Sequence, residues 1–178
     1  IPSFQNPSGR TLPAGRRARL AELARLHDFL LVADEVYHFL GYTRQPPIPF
    51  SGYAQQGNVV SLNSFSKILA PGLRLGWLQA DETILKKLAG CGLLDSGGGL
   101  APFTSAVVRE VVAGGGLQAN IDRLKAIYRE RLGFMDAALR RHLPTAEYAL
   151  PEGGYFFWVH LPGVDTSALR ARARAQMV

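Results

Sequence analysis

The chain has 178 residues, of which 47% are hydrophobic, 19% charged and 10% aromatic, a composition that fits a globular domain and excludes intrinsic disorder, collagen and coiled coil. Its net charge of +6 comes from 20 Lys+Arg against 14 Asp+Glu, but no basic stripe is interleaved with aromatics and no zinc-finger or RNA-motif pattern occurs, so no nucleic-acid partner is expected within this segment. The single cysteine, Cys91, rules out an internal disulfide and a cysteine-based zinc site, and no apolar run reaches the roughly 20 residues that span a bilayer, so the expectation is a cytoplasmic, soluble chain with no metal and no membrane partner.

Residues 1–9 read as a strand end that runs into a loop at Asn6, Pro7 and Gly9. Pro13 then opens a helix, with Leu20, Leu23, Ala24 and Leu26 at helical spacing and Arg16, Arg17, Arg19 and Arg25 expected on its solvated face. Residues 29–32 form a continuous apolar run, typical of a parallel strand buried on both faces, which leads into Ala33, Asp34 and Glu35. Residues 44–57, rich in proline and glycine, are expected as loop. A second strand covers residues 59–62 and ends in the polar turn 63–67; a third covers 73–80 and meets Asp81, a good N-cap for a helix to about Leu88. After the glycine-rich turn 97–99 comes a helix at 104–112, followed by three glycines at 114–116.

Leu117, Ile121, Leu124, Tyr128, Leu132, Met135, Leu139 and Leu143 recur at steps of three or four, which predicts one amphipathic rod of about 40 Å. Such a rod is expected to cross a domain boundary. The pattern then changes to strands at 147–150 and 155–161 around a turn at 151–154, and Asp165 or Thr166 caps a last helix. The expected division is a partial large domain at 1–116 and, at 117–178, the long helix with part of a small α+β domain. The chain starts without methionine and finishes without a helix stop signal, which predicts a piece of a longer protein.

Polar groups gather where the predicted strands end: Asn6; then Asp34 with Tyr37; then Ser64, Ser66 and Lys67, with Arg74 shortly after. In an open α/β sheet, ligands bind at the carboxyl ends of the strands. A lysine at such a strand end is either an ordinary surface lysine or an amine poised for Schiff-base chemistry. Ser64, Ser66 and Arg74 offer two hydroxyls and a planar cation, which suit a phosphate dianion. Asp34 reads as a buried ion-pair partner or N-cap, or as the counter-ion of a protonated ring nitrogen; Tyr37 reads as core, or as a donor to a phenolate oxygen. Taken together these groups match the ring nitrogen, ring oxygen, aldehyde and phosphate of pyridoxal phosphate. Glu35 is expected to point away from Asp34, which argues against a carboxylate dyad, and His27, His38, His142 and His160 lack metal-ligand spacing.

Five segments then carry a resemblance: FQNPSG (4–9), ADEVY (33–37), SFSK (64–67), PGLRLGW (71–77) and PEGGYFFW (151–158). In this order and at these separations they resemble the signatures of class I/II aminotransferases, the fold-type I pyridoxal-phosphate enzymes, over essentially the whole chain. The resemblance implies an α/β fold: part of a mostly parallel-sheet large domain joined by a long helix to part of an α+β small domain. It implies a transaminase that moves an amino group between an amino acid and a 2-oxo acid, with Lys67 forming the internal aldimine and moving the α-proton. Asp34 would keep the pyridine nitrogen protonated, Tyr37 and Asn6 would bond the ring oxygen, and Ser64, Ser66 and Arg74 would hold the phosphate.

The resemblance also implies a homodimer. It places the arginine for the substrate α-carboxylate beyond Val178 and the ring-stacking aromatic before Ile1, so the 178 residues alone are not expected to be catalytically competent. Phe156, Phe157 and Trp158 are expected in the small-domain core. Two other readings share the scaffold: a pyridoxal-phosphate-binding effector domain of a transcription regulator, and a lyase acting on an amino acid.

Overall fold

The structure, a computed structural model, describes residues 2–95 and 101–176. The turn expected at 97–99 lies outside the described residues. In chain order the elements are α1 (Ala14–Leu26), β1 (Leu31–Asp34), β2 (Val59–Ser64), β3 (Gly76–Gln79), α2 (Glu82–Ala89), the short α3 (Gly92–Asp95), α4 (Pro102–Ala113), α5 (Gly116–His142) and α6 (Thr166–Ala175). Asp81 and Asp165 cap α2 and α6, each accepting two backbone amides. The long rod is α5, 27 residues from Gly116 to His142.

The strands form one mixed sheet in the order β1-β2-β3. β1 and β2 are parallel, with Ala33 opposite Ser61 and Asp34 opposite Leu62, whereas β3 runs antiparallel to β2, with Gly76 opposite Ser64. One face of this sheet packs on α1 and on the 3-10 turn Phe50–Gln56, which occupies half of the expected loop. Ala21 and Ala24 are fully buried there; with no side chain beyond Cβ, they let α1 approach Ala33, Val59 and Phe50 closely. A second cluster joins Phe4, Tyr37, Leu40 and Ile68 to Ile121 of α5, with Leu117, Leu124, Tyr128 and Phe156 packed around it.

No strand forms at residues 2–9, which run through bends and turns, and three further expectations are corrected. First, the strand begins two residues later than the apolar run, and Phe29, Leu30 and Val32 are exposed, because within this chain α1 covers only the face that carries Ala33. Second, the strands expected at 147–150 and 155–161 reduce to a single antiparallel bridge between Glu147 and His160; the Pro151–Gly154 turn between them bonds to residues 40–43 instead. Third, Arg17 is not on a solvated face: its side chain is 0% exposed and lies 3.7 Å from the equally buried Glu35.

Arg17 also donates to the carbonyls of Leu12 (2.8 Å), Ile48 (3.2 Å) and Pro2 (2.8 Å), and to Ser3 Oγ (2.9 Å). Ser61 Oγ donates to Glu35 Oε2 at 2.7 Å, and Asn63 Nδ2 donates to Ser61 Oγ at 3.3 Å. Ser3 Oγ in turn lies 3.0 Å from His38 Nδ1. Because Arg17 donates to this hydroxyl, the hydroxyl proton is available to a neutral His38.

Arg17→Ala strands the Glu35 charge in the interior and is expected to destabilise the intact protein by about 3–5 kcal/mol. Arg19→Ala, which breaks an exposed pair with Glu22, should cost about 0–1 kcal/mol; urea denaturation compares the two. Burial, with help from Arg17 and Lys125, lowers the His38 pKa from 6.5 to about 4. The unfolded chain therefore binds the extra proton first, so the contribution of His38 is complete above pH 6.5 and is lost as the pH falls towards 4. Denaturation at stepped pH should show this slope flattened in His38→Gln, whose amide accepts from Ser3 without titrating.

Candidate active site

The site is built where the two clusters meet the ends of β1 and β2. Asp34 is the last residue of β1, and its Oδ1 accepts from the Val36 amide at 3.5 Å. Tyr37 follows, 5% exposed. Burial pushes its phenol up, the hydrogen bond with Asn6 opposes this, and the nearby Asp34 carboxylate adds to the rise. Asn6 and Asp34 therefore both sit within interaction range of Tyr37, although the three come from two separate segments.

Ser64 ends β2 and shapes the turn that follows: its Oγ accepts from the Ser66 amide at 3.1 Å and reaches the Leu75 carbonyl at 3.4 Å. The amides of Ile68, Leu69 and Ala70 all point at the Phe65 carbonyl, at 3.3, 2.8 and 3.2 Å. Lys67 stands on this tight turn, half-buried, with Nζ 5.9 Å from the ring centroids of both Tyr37 and Tyr155. Among the described residues its ammonium makes no hydrogen bond and no ion pair. The lysine thus joins Asn6, Asp34 and Tyr37 as one group.

Arg74 is brought alongside by the Phe65 amide, which donates to the Leu75 carbonyl at 3.1 Å. Its guanidinium does not reach the serines; it turns back to the Pro71 carbonyl at 3.2 Å. Arg74 has φ of +50°, a conformation uncommon outside glycine that gathers at ligand sites. Ser66 Oγ makes no hydrogen bond among the described residues. Two hydroxyls and an exposed cation near one strand end remain the donor set that a phosphate requires, and the lysine, the carboxylate and the phenol and amide side chains suit the rest of pyridoxal phosphate. The residues present fit that group.

Tyr155 and Asn120 escape the sequence reading. Tyr155 Oη donates to the Lys67 carbonyl at 2.6 Å, and its ring packs edge-on to Tyr37 with centroids 5.5 Å apart. Burial pushes its phenol up, and its hydrogen bond with Tyr128 adds to this. Asn120 Nδ2 donates to the Ile68 carbonyl at 2.8 Å. The available signals were a hydroxyl-bearing ring directly after the glycine pair of PEGGYFFW, and an amide on the α5 stripe marked by Leu117, Ile121 and Leu124.

The glycine pair explains how Tyr155 arrives there. A Cβ on Gly153 would stand 2.5 Å from the Leu40 carbonyl, and one on Gly154 would stand 2.8 Å from Phe4 Cβ at a φ of +75°. The turn is therefore laid flat on Phe4 and Leu40, and the Gly154 amide bonds the Leu40 carbonyl at 3.0 Å.

Comparison with known proteins gives this site its family. The model of aminotransferase class I and II matches residues 1–177. The aromatic-amino-acid aminotransferase 1 of Thermococcus litoralis is 37% identical over 182 residues, a match that takes in 100% of this chain and 43% of the relative. The crystal structure of Pyrococcus horikoshii kynurenine aminotransferase, in complex with PMP, kynurenine and product, superposes with a TM-score of 0.88 at 36% identity, covering 98% of this chain and 44% of that one. An uncharacterized HTH-type transcriptional regulator of Bacillus subtilis, YisV, is 30% identical over 162 residues, covering 89% of this chain and 33% of its own length. The chain belongs to the class I and II aminotransferase family and has the fold-type I architecture of its structural neighbours. It spans less than half the length of these relatives.

Gly154→Ala forces a side chain into the left-handed region against Phe4, and is expected to cost about 1–3 kcal/mol of stability while displacing Tyr155. Urea denaturation together with near-ultraviolet circular dichroism of the tyrosines checks both effects.

Proposed function

We propose that this chain carries the cofactor-binding part of a pyridoxal-phosphate-dependent aminotransferase that exchanges an amino group between an amino acid and a 2-oxo acid. The observation that carries this reading is the setting of Lys67: its ammonium lies between the rings of Tyr37 and Tyr155, and Tyr37 itself feels the Asn6 side chain and the Asp34 carboxylate. Family membership and the PMP named in the Pyrococcus structure support it.

Bound pyridoxal phosphate supplies an electron sink for negative charge developing at the substrate α-carbon. Asp34 holds a proton on the ring nitrogen, which keeps that sink effective, and Tyr37 with Asn6 orients the ring oxygen by hydrogen bonding. Ser64, Ser66 and Arg74 bind the phosphate, Arg74 by swinging away from the Pro71 carbonyl. The Lys67 amine takes the proton from the substrate α-carbon and returns it. In this reading residues 1–116 belong to the large domain, residues 117–178 carry the connecting helix and part of the small domain, and the intact enzyme is a cytoplasmic homodimer.

The identity shared with YisV favours one further reading, a regulator domain that binds the same cofactor without turnover. The deciding experiment treats the intact protein with pyridoxal phosphate and borohydride, maps the labelled lysine, and assays transfer from an amino acid to a 2-oxo acid. Labelling at Lys67 is expected in both readings, and turnover only in the first. Lys67→Ala should lose the label and lower turnover by at least about 10²-fold to 10⁴-fold; turnover that survives in this variant removes Lys67 from its role.

A further inference from the structure

Within the Lys67 turn, the amide and carbonyl groups find their partners in different places. The amides of residues 65, 66, 68, 69 and 70 are satisfied locally, by Leu75, Ser64 and Phe65. The carbonyls of Lys67 and Ile68 are instead held from far along the chain, the first by Tyr155 Oη at 2.6 Å and the second by Asn120 Nδ2 at 2.8 Å. These donors are 88 and 52 residues away in sequence and stand on separate segments, the glycine turn and α5.

Two successive carbonyls fix two successive peptide planes. Ile68, which lies between them, is 1% exposed in the cluster with Tyr37, Leu40 and Ile121, so its side chain prevents the turn from rotating about these bonds. Lys67 then has little backbone freedom, and its side chain projects between the Tyr37 and Tyr155 rings at equal distances of 5.9 Å.

Both donors are themselves held in place. Tyr155 follows the Gly153–Gly154 turn, which is pinned to the Leu40 carbonyl, while the Tyr42 and Thr43 amides bond the Glu152 carbonyl at 3.1 and 3.2 Å. Asn120 lies one residue from buried Ile121 on a 27-residue helix, and that helix is also tied to the Tyr42 carbonyl, by Arg129 Nε at 2.8 Å.

We infer that Asn120 and Tyr155 are positioning residues for Lys67: their paired hydrogen bonds to the carbonyls of residues 67 and 68 aim the lysine amine at the bound substrate. This rests on the functional reading above. Neither side chain needs to touch the substrate for the effect. A shift of about 1 Å in a reacting group costs on the order of 10²-fold in rate, out of proportion to the modest net stability that a single hydrogen bond contributes.

The test uses the intact protein with Tyr155→Phe, which keeps the ring, and Asn120→Ala, which leaves the glycine turn untouched. Each variant is expected to lose about tenfold to a hundredfold in kcat with KM within about twofold of the parent, because substrate binding does not use these bonds. An activity-independent measurement accompanies this: the rate at which cofactor-free protein is labelled at Lys67 by pyridoxal phosphate and borohydride, counted by mass spectrometry, should fall in both variants while thermal midpoints stay within a few degrees. Wild-type kcat and labelling rate in either folded variant overturn the inference. A parent protein that is not labelled at Lys67 at all overturns the functional reading and this inference together, so the two failures are distinguishable.

Discussion

The buried pair of Arg17 and Glu35 is the constraint on which the remaining geometry depends. For Arg17, desolvation outweighs the attraction of Glu35, so the ion pair alone does not repay the removal of two charges from water. What retains the guanidinium is its five-donor fork, which satisfies three backbone carbonyls and the Ser3 hydroxyl besides facing the carboxylate. Those partners belong to the opening segment, the loop before the 3-10 turn and the end of β1. One side chain from α1 therefore locks three segments that share no strand pairing, and Ser61 extends the lock to β2.

Apart from Arg74, the polar residues that the sequence gathers at the site lie a few positions from this network. Asn6 follows Ser3, Asp34 and Tyr37 flank Glu35, and Ser64 to Lys67 follow Ser61 and Asn63. On the α1 side of the sheet the alternation of the strands sends Glu35 and Ser61 inward to the lock; the same alternation leaves Asp34 and Ser64 to the other side, where the site lies. A charge buried on one face thus sets the register of the chemistry on the other.

The later part of the chain closes the arrangement by a different means. Phe4, itself at a positive φ, is the wedge against which Gly153 and Gly154 are laid, and it shares a cluster with Tyr37, Ile68 and Ile121. Apolar burial brings α5 and the glycine turn to the lysine turn, and directional bonds from Asn120 and Tyr155 then specify the approach. Dispersion and burial alone tolerate small slides between packed surfaces; hydrogen bonds to two adjacent carbonyls do not.

Much of this was legible from local pattern. The strand-end placement of Asp34, Tyr37, Ser64, Ser66 and Lys67, the turn at Asn6, the caps at Asp81 and Asp165 and the single long helix all follow from periodicity and turn chemistry over a few residues, and the five ordered motifs named the family. What local pattern could not reach were pairings across long stretches of chain. Arg17 looked like any arginine on a polar helix, because its burial depends on carbonyls supplied by residues 2, 12 and 48. Residues 147–150 and 155–161 alternated like strands, yet pairing requires a partner backbone at a fixed distance, and the glycine turn takes that distance away. Tyr155 and Asn120 gain a role only when folding places their donors opposite the carbonyls of residues 67 and 68. The sequence by itself determined which chemical groups are present and which elements carry them. The tertiary structure alone decided which of them meet, because burial of a charge and direction of a hydrogen bond are properties of neighbours in space.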